Sequence, residues 1–196
     1  MLFRSPRATP VLTYLVNETS KSDSPQGSGI PYSMYSALPL GAGFELPSAT
    51  DGSLLETPGE NELILNEWAA ADLQAQPGDM IRLKYFQPES THGQQVELTT
   101  ELRLKAIAKL TRPSRPFQPR RAGPPLRAEF ARRPTMANDP DLTPEVPGLT
   151  DSDSIESWDL PFETTGKIRR VDDDYWADYR TTPKGFVHRS EEHTSE

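Results

Sequence analysis

No cysteine occurs anywhere in this 196-residue chain, which excludes a disulfide scaffold, a thiolate metal site and a thiol nucleophile, and leaves the redox compartment open. Histidine is nearly as scarce: His92 sits in a polar turn and His188 and His193 at or near the end of the chain, so no metal triad or catalytic dyad is suggested. Hydrophobic residues make up only 34% of the chain, against 20 prolines and 12 glycines, so a good part of it should be irregular. No apolar run approaches the roughly 18 residues a spanning helix needs, and no basic-then-apolar leader opens the sequence. As written, the chain is expected to be soluble and unanchored. A glycine-rich phosphate loop is also missing, so ATP is not bound here by a Walker motif.

What is present concentrates between Glu62 and Leu110. Glu62 to Leu65 is a short apolar run, and Asn66 follows as an N-cap, its side-chain oxygen able to accept from an orphan helix N–H. Leu65, Ala69 and Leu73 then recur at helical spacing with Trp68 beside them, which predicts a helix over Asn66 to Ala75 ended by Pro77-Gly78. Ile81, Leu83 and Tyr85 alternate with Arg82, Lys84 and Phe86, and Val96, Leu98, Leu102, Leu104 and Ala106 share one parity against polar neighbours, giving two strands joined by a polar turn. Ile107 and Leu110 break the second parity and predict a bulge near Ala106. Val11 to Val16 and Pro31 to Leu38 read as further strands, Asn17 to Gly29 as a linker, and Gly41 to Glu60 as loop. The fold class expected is therefore α+β: a small mixed sheet with a short helix and a β-hairpin, flanked by long irregular Pro-rich segments.

Charge is segregated. Residues 111–137 hold seven arginines (Arg112, Arg115, Arg120, Arg121, Arg127, Arg132 and Arg133) against one acid, Glu129, in a chain whose net charge is -8. Without a helical or strand period, this Arg/Pro-rich segment is expected to be a disordered insertion between residues 1–110 and 138–188, which together make one domain. Clustered cations also suit nucleic acid or another acidic surface, the alternative function weighed here, although Phe117 and Phe130 are its only stacking aromatics. Asp151, Asp153, Glu156 and Asp159 lack the glycine and glutamate spacing of a calcium loop and read as a solvated turn. Asp172 to Arg180 predicts a short acidic helix with Tyr175, Trp176 and Tyr179 on one side; with Trp158 and Phe162, Tyr175 and Trp176 are candidate partner contacts, weighed against plain packing. No catalytic, cofactor or metal residues stand out, and no enzyme is expected.

Leu63 to Ala70, followed by Asp72-Leu73 and Pro77-Gly78-Asp79, resembles the extracytoplasmic region of FtsX/MacB-like ABC transporter permeases. The first large external loop of one long-permease subgroup is similar to Pro10 to Asn17, Pro31 to Met34, Leu142-Thr143-Pro144, Pro147 to Asp151, Trp158-Asp159 with Pro161-Phe162, and then Asp174-Tyr175-Trp176, Tyr179-Arg180 and Thr182 to Val187. The order of these words, rather than any one of them, carries the resemblance. It implies a non-catalytic domain on the periplasmic face of the bacterial inner membrane, coupling substrate or partner contacts to transmembrane movement while a separate subunit binds and hydrolyses ATP. It also implies flanking transmembrane helices, so the chain is expected to be a fragment with Met1 internal. Residues 111–137 have no counterpart in the pattern and read as an insertion or a shifted frame. Arg189 to Glu196 looks like translated sequencing adapter and is set aside.

Overall fold

In a computed structural model, residues 10–25, 27–41, 43–87, 96–118, 126–158 and 167–189 are described. Six strands are present among them: β1 (Leu12–Lys21), β2 (Ile30–Ala37), β3 (Glu62–Asn66), β4 (Met80–Phe86), β5 (Glu97–Ala108) and β6 (Gly185–Val187). Helix α1 (Glu67–Leu73) follows β3, and α2 (Arg170–Tyr179) precedes β6. The strands close into a barrel in the order β1-β2-β6-β3-β5-β4, with β4 returning to β1. β2 with β6 and β3 with β5 are parallel pairs, and the others are antiparallel.

The small open mixed sheet expected from the sequence is thus corrected to a closed, mostly β barrel. Closure comes from two places the hydrophobic pattern did not mark. β1 continues through the stretch read as linker, and Glu18 to Lys21 pair with Lys84 to Ile81 of β4. These positions are polar but not exposed: Thr19 is 0% accessible and its Oγ1 lies 3.1 Å from the Tyr35 hydroxyl, while Glu18 pairs with Lys84 at 2.8 Å. Near the other end of the chain, three residues of β6 slot between β2 and β3, too short a strand for any period to appear.

Within that frame the local elements follow their residues. Asn66 Oδ1 accepts from Ala69 N at 2.8 Å, and α1 ends with Gln74 in the left-handed region. Gly78, at φ 103°, makes the turn into β4, and its N–H donates to Leu104 O at 2.8 Å. In β5 the even-numbered residues point inward as far as Leu104. Lys105 is then extra, because Leu63 pairs with Leu104 and Ile64 with Ala106. This bulge flips the parity, so Ile107 joins Leu63, Leu65 and Leu104 in the barrel interior while Ala106 and Ala108 face the outer layer.

β3 is buried on both sides, which is why Leu63-Ile64-Leu65 is an unbroken apolar run. Its outer side, at Ile64, packs under Leu38, Leu46, Tyr175 and Tyr179, so α2 and the loop after β2 form a coat over that face. A third cluster joins Tyr32 and Met34 of β2 to Leu149, Ile155 and Trp176. The described part of the Arg/Pro-rich segment carries only isolated bridges, Arg115 to Glu129 and Gln118 to Leu126, before a 3₁₀ turn at Met136–Asn138. It touches the coat where Phe117 N donates to Ala177 O at 3.0 Å and where Ala137 is fully buried. No helix among the described residues is long and apolar enough to cross a membrane.

Candidate functional site: a buried basic chamber under helix α2

The polar groups that tie α2 to the barrel meet around Asn66. Its Nδ2 donates to the Tyr175 hydroxyl at 3.0 Å and to Pro183 O at 2.9 Å, and Tyr175 in turn donates to Thr182 O at 2.9 Å. Arg169, just before α2, donates through Nη2 to Asp72 of α1 and to Asp172 of α2, each at 2.7 Å. The hydrogen bonds that Asp172 and Asp72 accept from it hold the guanidinium charged and push its pKa above the ordinary arginine value, against the burial that opposes it. With Asp172 and Asp173 in its first turn, α2 also has its dipole complemented.

These ties position the chain beyond α2 over a small chamber of about 10 Å³, walled by Tyr32 and Met34 of β2, by Trp158, by Trp176 and Arg180 at the end of α2, and by Lys184 just before β6. The Trp158 and Trp176 rings meet edge to face, centroids 5.1 Å apart, and the Arg180 guanidinium lies 4.6 Å over Trp176. Lys184 Nζ sits 5.0 Å from the Trp68 ring centroid and 4.8 Å from that of Tyr175. Lys184 is only 3% exposed, and burial lowers its pKa to about 8; Asp172 and Asp72 counter the shift, and Arg169 adds to it. Burial likewise lowers the pKa of Arg180.

Two features set this chamber apart. Trp158 Nε1, Arg180 Nε and Lys184 Nζ are buried without a hydrogen-bond partner, and all three belong to its walls. Such groups carry donors and no acceptor, so they cannot satisfy one another. The second feature is backbone strain. Tyr32 at φ 39° and Arg180 at φ 52° are two of the three non-glycine residues with positive φ among those described, the third being the α1 cap Gln74. Strained conformations of this sort persist where surrounding contacts over-determine them, and they cluster at ligand clamps. A wider surface groove of about 370 Å³ near Met80 and Arg103 is lined by Glu62 and Glu101, both of which have basic partners.

Of the residues singled out from sequence, Trp158 is half-buried in the chamber wall, and Tyr175 and Trp176 are 3% exposed, packed inside rather than displayed. Phe162 lies outside the described residues. Sequence reasoning did not select Tyr32, Arg180 or Lys184 as site residues, since no local period marks their burial. The only hint was Lys184 between Pro183 and Gly185 directly before a strand. Among the arginines of residues 111–137, Arg112 faces Asp178 at 3.8 Å, Arg115 faces Glu129 at 3.1 Å and Arg127 faces Asp141 at 2.6 Å. Among the described residues, no group of three or more histidines and carboxylates is placed to hold a metal. Neither a protein-family model nor a curated protein matches this chain.

Proposed function

We propose that this chain is a non-catalytic extracytoplasmic domain of an FtsX/MacB-like ABC transporter permease, in which a stiff barrel relays substrate or partner contacts to transmembrane helices driven by ATP hydrolysis in a separate subunit. One observation carries this reading: the family-like words, scattered from Pro10 to Val187, are knitted together in space. Asn66, in the word that spans the end of β3, donates to Tyr175 and Pro183, in two of the three closing words. Thr13 Oγ1, in the first word, donates to Leu142 O at 2.7 Å, and Thr143 Oγ1 donates at 2.8 Å to the carbonyl of Thr181, which lies between the last two words.

A closed barrel suits such a relay, because a body without free sheet edges moves as a unit when its attachments shift. A periplasmic location and an ATP-binding partner belong to the same reading. The experiment is to recover the gene with its flanking sequence and express it in full. Fractionation with the membrane and copurification with an ATPase subunit are expected. A gene product without apolar spans on either side of this domain, found in the cytoplasmic fraction, would refute the transporter reading.

A further inference from the structure

We propose that the chamber under α2 binds one small monovalent anion, a halide or a carboxylate no larger than formate, through Lys184 Nζ, Arg180 Nε and Trp158 Nε1. Its walls supply three unpaired donors, two of them on cationic side chains that are more than nine-tenths buried. The acceptors nearby are already engaged. Ser152 O receives Arg180 Nη2 at 2.7 Å and Trp176 Nε1 at 3.2 Å, Met34 O receives the Lys184 N–H at 2.8 Å, and Thr182 O receives the Tyr175 hydroxyl. The rings of Trp68 and Tyr175 ease the Lys184 charge by cation–π attraction but do not replace a hydrogen-bond acceptor.

Water is a poor occupant. It would accept from only two of the three donors and would leave the buried positive charge without a counter-charge. An anion accepts from all three and offsets the buried positive charge. Size narrows the class: a space of about 10 Å³ suits a small ion better than phosphate or sulfate. Positive φ at both Tyr32 and Arg180 fits a wall held in place for a ligand.

The chain holds three tryptophans, Trp68, Trp158 and Trp176, and all three lie in or beside this chamber, so intrinsic fluorescence reports on it directly. The test uses the full chain at constant ionic strength, titrated with sodium bromide, chloride or formate against sodium gluconate, whose anion is too large to enter. Saturable quenching by bromide that chloride or formate reverses is expected. Whichever of the two competes better identifies the source as an inorganic ion or a carboxylate. Lys184→Met should weaken binding at least tenfold. Trp158→Phe, which keeps a ring in the wall but removes its N–H, should weaken it severalfold and carries the test if Lys184→Met does not fold. Linear collisional quenching that is indifferent to competitor and unchanged in Trp158→Phe would overturn the proposal. This inference stands whether or not the transporter reading holds.

Discussion

Asn66→Ala removes more than a helix cap. The side chain is 0% exposed and makes three hydrogen bonds, accepting from Ala69 N at 2.8 Å and donating to Tyr175 Oη and to Pro183 O. Loss of the cap alone costs about 1 kcal/mol. Pro183 O is then left buried without its donor, at about 1–3 kcal/mol, while Tyr175 keeps its bond to Thr182 O and loses less. The sum is about 3 kcal/mol, which in a chain of this size lowers Tm by roughly 6–12 °C. Asn66→Asp separates the parts. It keeps the cap acceptor but offers no donor to Pro183 O and buries a charge, so it should be at least as destabilising as alanine at pH 7 and recover partly on acidification as the carboxyl protonates. Urea unfolding of both variants, followed by far-UV circular dichroism, measures the differences. If Asn66→Ala lay within about 0.5 kcal/mol of the parent, the link between β3 and the α2 segment would not be a stabilising one, and the reasoning would fail.

Leu104→Ala, at a position 1% exposed in the barrel interior, should cost about 2–5 kcal/mol by the same unfolding assay. Gly185→Ala would drive a methyl group into the buried Tyr35 ring between β2 and β6, and should destabilise by about 3 kcal/mol; a neutral result would contradict the β2–β6 pairing. Alkaline pH should first raise stability and then lower it. Below pH 8 the folded chain carries the buried Lys184 ammonium and its full penalty; between about 8 and 10.4 the unfolded lysine still holds a proton that the folded one has released, so stability climbs by up to about 3 kcal/mol. Above pH 10 the order reverses, because burial raises the pKa of Tyr35 and Tyr175 and pushes Tyr179 up to about 12, so the unfolded chain ionises its phenols first. Denaturant midpoints across pH 7–11 in gluconate buffer check this, and Lys184→Met should abolish the rising limb.

The parts of the fold that were legible in the sequence are those where one face is apolar and the other is not. Asn66 announced the start of α1, the alternation of β4 and β5 gave a hairpin, and Ile107 betrayed the bulge that the structure places at Lys105. Barrel closure was not legible, because it depends on residues whose burial is paid for by hydrogen bonds rather than by apolar surface. Thr19 looks like linker in a Ser/Gly/Pro context and is fully buried all the same, with the Tyr35 hydroxyl beside it. β2 shows the complementary problem: all eight of its residues are buried, so no alternation between core and solvent identifies its faces.

The chamber is a stronger case of the same limit. Residue type found its aromatic walls in Trp158 and Trp176, but Lys184 and Arg180 owe their character to being enclosed, and enclosure is a property of chain closure. β6 enters between β2 and β3, and the segment that leads into it carries Arg180, Thr182 and Lys184 beneath α2. The step that completes the barrel therefore also removes the lysine and the guanidinium from water. Insertion of β6 and formation of the chamber are linked, held by Asn66 from the β3 side and by the main-chain bond of Lys184 N to Met34 O from the β2 side. An anion that enters the chamber would bind only the closed state, so its binding free energy would add to the stability of the whole barrel and not to one loop.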